Sequence, residues 1–587
     1  MTWSDRDTVT QLGSQERITT AATNSERAAG RGGPRAMLIV TSVVLLSHAA
    51  MVLRFWWVTD DAYISFRYAR NLALGEGIRY NLWDLPPVEG YSNFLWVVLA
   101  GVVHALGLDM VRWMPILSWV CGAGLLTILL HRLVRGLEVP LPIAAAAVLG
   151  LACYPPFAVW TTSGLATMPF ALLVFLTFDR LLLARSGPDW LWGGVFGALL
   201  ALIRVEGAAW FGVVLVLAVL GQAMRRRFQI RALLGAVLIV VLVFGGYFAW
   251  RYSYYGELLP NTVYAKSVSG PSFYERGYRY VMANVLTFLT PLVIVPAGLL
   301  ALRRKRIAVG LGVAALASAF PVYAVVVAGD YLPMGRFLIP GLAFTTILLA
   351  WMLADLAGKS AWRTVAATTL GVAVGLLGAL PGWDVHVVPP QYRAWCNYRN
   401  RYSRKTDTEY TRWVDLSRKV NTWRRRGRLI RAYAEDSLTP PVSMAIRAMG
   451  AIGYETDFNL YDCAGLTVPE IARREITEWT KQPGHDKAVD LGYFVKERPT
   501  ILHKAVFRDD VPQTILKRVR KALREWSDRE VRANYRPELV RMTSIDGEDP
   551  PKYFLVLVKA EQPTAVVWRS FNRMTPRDVA QVREISY

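Results

Sequence analysis

A series of apolar segments, each about as long as a membrane span, occupies most of the first two thirds of this chain. A transmembrane helix needs roughly 20 predominantly apolar residues, and hydrophobic residues make up 53% of the 587 residues. The predicted fold class is therefore a multi-pass α-helical membrane protein, with a membrane domain at 36–381. Its eleven predicted spans are 36–56, 111–133, 140–157, 165–184, 188–204, 207–224, 231–250, 281–302, 306–328, 336–356 and 361–381.

The positions of Lys and Arg orient these spans. Cytoplasmic loops are enriched in both residues, and all the basic loops fall on one side only if the apolar stretch 91–107 lies along the interface. We therefore predict a bacterial inner-membrane protein with a disordered cytoplasmic tail (1–35) and a first loop (57–110) on the outer face. The basic loops contain Arg132 and Arg135; Arg225, Arg226, Arg227 and Arg231; Arg303, Arg304, Lys305 and Arg306; and Lys359 and Arg363.

The composition changes beyond residue 381. More than half of the 67 Lys and Arg residues lie in 382–587, which has no further apolar run of span length. A basic amphipathic helix is predicted at 406–432, and β-rich runs such as 553–558 and 564–568 alternate with helical ones. We predict an extracytoplasmic α/β domain, in which Cys396 and Cys463 could form a disulfide. The net charge of +22 favours membrane lipids and lipid phosphates, not nucleic acid, as partners.

Charged residues in the predicted outer loops are the candidate functional residues. Asp60 and Asp61 directly follow the first span and open an amphipathic helix, and Arg204 and Glu206 lie between two spans with almost no loop. Charged groups at membrane depth are costly and commonly functional. Further polar candidates in these loops are Arg67, Glu89, Asn93, Lys266, Asp330 and Arg336.

These residue types fit the transfer of a sugar from a lipid phosphate. Nucleotide sugars are absent from the outer face, whereas a polyprenyl-phosphate sugar is an available donor there. A carboxylate can take the proton of an acceptor hydroxyl, and cations stabilise the departing phosphate. Asp60 and Asp61 are the candidate bases, with Asp60 favoured because it begins the helix. The candidate phosphate-binding residues are Arg67, Arg204, Lys266 and Arg336.

The motifs that carry these charges resemble those of the GT-C glycosyltransferases, and most of all the mycobacterial terminal arabinofuranosyltransferase B family. The resemblance runs in order from about residue 55 to 490. It is carried by Thr59–Ala73, Gly75–Gly77, Val88–Trp96, Ser163–Leu165, Ile203–Gly207, Tyr254–Lys266, Ala328–Phe337, Tyr461–Leu466 and Pro483–Lys487.

This resemblance implies a GT-C fold, a catalytic carboxylate in the first loop and inverting transfer from decaprenyl-phosphate arabinofuranose to a cell-envelope polysaccharide or glycolipid. It also implies sugar contacts by Glu89, Asn93 and Asp330, and Glu206 is a further candidate for contact with sugar or acceptor. One position departs from the pattern: Ala166 stands where relatives carry an acidic residue, which leaves the donor sugar in question.

Several alternatives stay open at this point. Asp60 could only cap its helix, Lys266 could extend to the interface without a catalytic part, and Arg204 and Glu206 could form a structural ion pair. The whole protein could instead be a flippase for lipid-linked saccharides, or a scaffold whose basic domain binds acidic glycan. No metal cofactor is predicted, although a divalent cation at Asp60 and Asp61 is left open.

Overall fold

The computed structural model describes residues 33–183, 187–224, 229–289, 307–389, 408–476, 483–507, 511–544, 552–562 and 568–586. Helices build the part before residue 384, and a mixed α/β unit follows from Glu409 to Ser586. Several sequence predictions lie outside the described residues: most of the N-terminal tail, Arg225–Arg227, Arg303–Arg306 and any disulfide through Cys396.

The helical part contains helices of very different lengths. They are Pro34–Arg54, Asp60–Ala73, Phe94–Ala105, Met110–His131, Leu141–Ala152, Pro155–Thr161, Thr167–Leu182, Gly187–Ile203, Gly207–Met224, Ile230–Tyr255, Asn261–Lys266, Pro271–Phe288, Ile307–Val326, Leu342–Ala357 and Ala361–Ala379. A π turn, Arg132–Gly136, extends the fourth helix, and 3-10 turns at Arg336–Gly341 and Leu380–Trp383 flank the last two.

Among the described residues, seven helices are long and apolar enough to cross a membrane. They become eight if Leu141–Ala152 and Pro155–Thr161, bent by 60°, are one span. The predicted spans 165–184 and 188–204 form shorter helices of 16 and 17 residues. The predicted span 281–302 lies largely outside the described residues. A multi-pass membrane protein is thus confirmed, whereas the count of eleven spans stays a prediction.

The apolar stretch 91–107 forms the helix Phe94–Ala105. At 1.5 Å per residue its 12 residues reach about 18 Å, too short for the roughly 30 Å hydrocarbon core. It packs closely on the helix Asp60–Ala73, since a Cβ built on Gly101 would lie 3.3 Å from the Ala69 carbonyl oxygen. This length agrees with the prediction that the stretch does not cross the membrane.

The α/β unit is built on one six-stranded sheet of order β2-β1-β3-β5-β4-β6. Its pairs β1–β2, β1–β3 and β4–β6 are parallel, whereas β3–β5 and β4–β5 are antiparallel. The strands are β1 Ser443–Ile446, β2 Asn459–Asp462, β3 Ile501–Phe507, β4 Tyr535–Thr543, β5 Lys552–Lys559 and β6 Glu584–Ser586. The α-helices are Glu409–Ser437, Gly450–Thr456, Pro469–Ala472, Pro512–Arg524, Arg529–Asn534, Trp568–Asn572 and Pro576–Ala580, with a 3-10 turn at Leu491–Phe494.

Strand β5 shows why this sheet is buried on both faces. Side chains alternate between the faces of a strand. Phe554 faces the helix Glu409–Ser437, where its ring lies 5.5 Å from that of Tyr433. Leu555 belongs to a second core shared with the helix Pro512–Arg524. The predicted run 553–558 is therefore a strand and the predicted helix at 406–432 is present. Of the predicted run 564–568, residues 564–567 lie outside the described residues, and Trp568 begins a helix and not a strand.

Hydrogen bonds join the first loop to the α/β unit. Asn81 and Leu460 exchange two of them, at 2.8 and 3.1 Å, and the Tyr80 hydroxyl donates to the Met449 carbonyl at 2.6 Å. All of these partners are buried. The α/β unit therefore packs directly on the loop that carries the candidate carboxylates.

Candidate active site

The two adjacent aspartates face different surroundings. Asp60 accepts hydrogen bonds from the backbone N–H groups of Gly450 (3.3 Å) and Ala451 (2.7 Å), at the start of the helix Gly450–Thr456. Its side chain is buried, and burial raises its pKa to about 7. A Cβ on Gly450 would lie 2.6 Å from the Asp60 carboxyl carbon, so the approach requires glycine. Asp60 thus ties the first loop to the α/β unit.

Asp61 faces cations. Its Oδ2 lies 3.6 Å from Nζ of Lys266, and the two side chains are 18% and 39% exposed. Burial raises the pKa of Asp61, but Lys266, Arg336 and His485 lower it, and the net pKa lies below the usual value. Asp61 is therefore ionised at neutral pH. The sequence favoured Asp60 as the base; in the structure, Asp61 is the aspartate that meets the basic residues, whereas Asp60 binds the backbone of the α/β unit.

Arg336 is held beside this pair by a tight turn. Its Nε lies 2.8 Å from Oδ2 of Asp330. Met334 and Gly335 both have positive φ, 64° and 60°, and a Cβ on Gly335 would meet the Asn284 side chain at 2.6 Å. The Met334 carbonyl accepts from the Trp160 indole (2.8 Å), and its N–H donates to Glu409 of the α/β unit (2.6 Å). Contacts from two parts of the fold thus fix the turn.

A loop of the α/β unit, Pro483–Lys487, completes this group of residues. The His485 ring lies 4.9 Å from that of Tyr331, and burial together with Lys266 lowers the pKa of His485. Gly484 packs against the aliphatic part of Lys266: a Cβ built on the glycine would lie 3.6 Å from the Lys266 Cγ. His485 is not among the residues predicted for the site, although the motif Pro483–Lys487 contains it.

Two charged side chains, Asp486 and Lys487, anchor this loop. Asp486 accepts two hydrogen bonds from Arg276, at 2.7 and 3.1 Å, and both side chains are 1% exposed. The Lys487 ammonium donates to the carbonyls of Tyr264 and Ala472, both at 2.9 Å. The loop position beside Lys266 is therefore fixed by the protein itself. We call Asp61, Lys266, Asp330, Arg336 and His485 the basic cluster.

Arg204 and Glu206 lie next to this cluster and pair with each other, 2.6 Å between Nε and Oε1. Tyr323 interacts electrostatically with Glu206 and Arg336, and thus links the pair to the cluster. The intervening Val205 donates its N–H to the Ser92 carbonyl at 2.9 Å. The structure therefore brings this pair to the site, with its charges mutually neutralised.

Arg67 is placed elsewhere. Its guanidinium donates to the carbonyls of Tyr80 (3.0 Å), Gly453 (2.9 Å) and Phe458 (2.6 Å), and its side chain is fully buried. It also lies over the Tyr80 ring, 4.2 Å from the centroid. Because the guanidinium N–H groups are already bonded to these carbonyls, few remain for a phosphate. We therefore leave Arg67 out of the proposed site.

The remaining sugar-contact candidates lie along the first loop. Glu89 pairs with Arg251 at 2.6 Å; burial raises its pKa to about 7 although Arg251 lowers it. Asn93 is buried and accepts a hydrogen bond from Ser65 at 3.1 Å. Ala166 is buried directly before the helix Thr167–Leu182. Neither Glu89 nor Asn93 pairs with a member of the basic cluster.

The carboxylates do not gather into a metal site. In the part of the chain that the structure describes, no three His, Cys, Asp or Glu residues are grouped so as to hold an ion. Asp60 and Asp61 engage the α/β backbone and Lys266, respectively. The cationic side chains of Lys266 and Arg336 lower the pKa of Asp61.

Solved structures with this arrangement of helices are known. The chain superposes on ArnT from Cupriavidus metallidurans bound to undecaprenyl phosphate with a TM-score of 0.53 and 15% identity, over 88% of this chain and 97% of that one. The apo form gives a TM-score of 0.52 over the same shares. The chain has the GT-C fold. This confirms the predicted fold class and the GT-C resemblance of the motifs.

Sequence relatives of this GT-C protein carry a more specific name. Two proteins named terminal beta-(1->2)-arabinofuranosyltransferase are each 28% identical to it. The Corynebacterium glutamicum protein matches over 44% of this chain and 41% of its own length. The Mycobacterium tuberculosis protein matches over 46% of each. The chain thus spans less than half the length of these relatives. Residues 414–566, within the α/β unit, match a family described as "Domain of unknown function (DUF8728)".

Proposed function

We propose that this protein is an inverting glycosyltransferase that moves arabinofuranose from a polyprenyl-phosphate donor to a polysaccharide or glycolipid of the cell envelope. The observation that carries the proposal is the ionised Asp61 beside Lys266 and Arg336 in a GT-C fold. The relatives' names support arabinofuranose as the sugar. The ArnT neighbour, solved with undecaprenyl phosphate, supports a lipid-phosphate donor.

In the proposed reaction, Asp61 takes the proton of an acceptor hydroxyl as its oxygen attacks the anomeric carbon of the donor. The new glycosidic bond forms while the bond to the phosphate oxygen breaks, and the lipid phosphate leaves. A single displacement of this kind inverts the anomeric centre. Lys266 is the more accessible cation for the departing phosphate, since it is 39% exposed. Arg336 is held in place by its pairing with Asp330 and offers its remaining N–H groups to the same phosphate.

Asp61→Asn tests the base. The substitution keeps the shape of the side chain but removes the proton acceptor, and general-base catalysis contributes about 10²–10⁴-fold. In a transfer assay with decaprenyl-phosphate arabinofuranose and a synthetic arabinofuranosyl acceptor, kcat is expected to fall by at least about 100-fold. Asp415→Asn, on an exposed carboxylate outside the site, is the matched control. Full activity of Asp61→Asn would eliminate this carboxylate as the base.

The same assay separates the proposed function from its alternatives. A glycosyltransferase releases lipid phosphate in step with new glycosidic linkages, whereas a flippase moves the intact donor across a bilayer without either product. A scaffold binds donor or glycan without turnover. Transport of a labelled donor into vesicles in the absence of acceptor would favour the flippase.

A further inference from the structure

A cavity lies between the first loop and the α/β unit, and no member of the basic cluster lines it. Its volume is about 460 Å³. Three parts of the chain line it: the segment 81–89 of the first loop, the segment 255–261, and residues of the α/β unit between 460 and 497. Aromatic and acidic side chains form much of this lining. We call the cavity the acidic cleft.

Aromatic rings form one part of the wall. Trp83 and Tyr493 are 41% and 49% exposed. The Trp83 ring packs on Tyr461 at 5.0 Å, and Tyr461 packs on Phe494 at 5.4 Å. Such rings present an apolar face together with a polar edge. The C–H face of a sugar ring stacks on a surface of this kind, and the rest of the cleft then has to bind its hydroxyl groups.

Carboxylates supply that second part. The described residues lining the cleft include five acidic side chains and neither Lys nor Arg. Glu89 and Glu257 are paired with arginines outside the lining. No ion pair among the described residues involves Asp84, Glu470 or Glu497. Asp84 is buried enough that its pKa rises to about 6, and Arg67 and Arg79 lie within electrostatic reach of it. The exposed Glu470 and Glu497 therefore supply most of the unpaired negative charge of the cleft, which disfavours an anionic ligand.

One lining side chain also lacks a partner. The Thr467 hydroxyl is buried, on a side chain that is 4% exposed, and it has no hydrogen-bond partner among the described residues. A buried polar group without a partner is unfavourable. Rotation of the Thr467 side chain toward a hydroxyl-bearing ligand would satisfy it.

A short helix connects the cleft to the basic cluster. Asn261 lines the cleft and begins the six-residue helix that ends at Lys266. Five steps of 1.5 Å separate the two ends by about 8 Å along the axis. Asn261 is fixed by donating to the Glu89, Gly465 and Leu466 carbonyls at 2.8–3.0 Å. One short helix thus joins a wall residue of the cleft to Lys266, whose ammonium lies 3.6 Å from Asp61.

We propose that the acidic cleft binds the acceptor as a neutral, hydroxyl-rich saccharide chain and directs its terminal hydroxyl toward Asp61. This inference rests on the proposed function for the role of the ligand as acceptor, but binding of the saccharide does not require transfer. Neutral arabinofuranosyl chains meet the requirement, whereas polysaccharides rich in uronate or phosphate do not, because Glu470 and Glu497 repel them.

Direct binding and kinetics together test the cleft. The full chain in nanodiscs is titrated calorimetrically with a neutral arabinofuranosyl oligosaccharide and with an oligogalacturonate as anionic probe. The neutral probe is expected to bind and the anionic one not. Trp83→Ala and Tyr493→Ala are each expected to weaken neutral binding and raise the acceptor KM about tenfold, with kcat and donor KM within twofold. Tyr274→Ala, on an exposed ring outside the cleft, is the matched control.

The outcomes separate this proposal from the proposed function. Three results would each overturn the proposed acceptor site. They are unchanged binding in both cleft variants, no binding of the neutral probe to the unsubstituted chain, and tighter binding of the anionic probe. Asp61→Asn is expected to bind the neutral probe normally while it fails to transfer. If the unsubstituted chain binds this probe through Trp83 and Tyr493 but transfers no sugar, the cleft stands as a saccharide site and the glycosyltransferase proposal fails.

Discussion

Arg67→Met is expected to weaken the attachment of the first loop to the α/β unit while leaving donor binding intact. The guanidinium donates to three backbone carbonyls, two of them, Gly453 and Phe458, in the α/β unit. Each hydrogen bond from a charged donor contributes about 1.5–3 kcal/mol. Such contributions are not additive, and removal of one partner of a buried charged contact costs about 3–5 kcal/mol. We therefore expect a loss of about 4 kcal/mol.

The assay is thermal unfolding of the purified protein in nanodiscs. For a unit of 150–250 residues, 1 kcal/mol shifts the Tm by about 2–4 °C, so the α/β unit should unfold roughly 10 °C earlier. Arg67→Lys keeps the charge but loses the fork, and should show an intermediate shift. Arg569→Met, on an exposed arginine, is the matched control. A normal Tm for Arg67→Met combined with a tenfold rise in donor KM would refute this reasoning and restore Arg67 as a phosphate ligand.

Three further predictions concern pH and topology. Burial raises the pKa of Asp60 from 3.8 to about 7. The stabilisation by protonated Asp60 is therefore complete below about pH 4 and is lost as the pH rises through 7. Asp60→Asn should reduce the pH dependence of the Tm between pH 5 and 8. Lys266 lowers the pKa of Asp61, so Lys266→Met should move the acidic limb of the kcat profile to higher pH, and an unmoved limb would contradict the pairing. Arg569→Cys should react with a membrane-impermeant maleimide on intact spheroplasts; labelling only after lysis would reverse the predicted orientation.

The membrane helices follow from local sequence to a large extent. Pro34–Arg54 and Ile230–Tyr255 were predicted because an apolar run of this length has few alternatives to a span. The strand β5 was visible for a similar reason, since its aromatic and β-branched residues favour a sheet. Trp568 was assigned wrongly because its indole was taken to continue a β-rich run, whereas it packs against β4 from a helix and donates to the Tyr535 carbonyl.

The identity of the facing aspartate was beyond local sequence. Asp60 and Asp61 are neighbours on a helix, so their side chains point about 100° apart, and sequence alone does not say which direction meets cations. The direction of Asp60 depends on Gly450 and Ala451, about 390 positions away, because their backbone N–H groups donate hydrogen bonds to its carboxylate. Asp61 is left to face Lys266. The placement of Arg67 was equally beyond local sequence, because its partners Gly453 and Phe458 belong to a distant part of the chain.

The α/β unit therefore takes part in the site and is not a separate appendage. It receives Asp60 through Ala451, holds the Arg336 turn through Glu409, and places His485 beside Lys266. These three contacts act on residues of three different loops between the membrane helices. Because each contact fixes a charge of the basic cluster or its neighbour, the geometry around Asp61 depends on the docked α/β unit. Changes in the 414–566 region are thus expected to alter catalysis through the position of these charges, even where they touch no substrate.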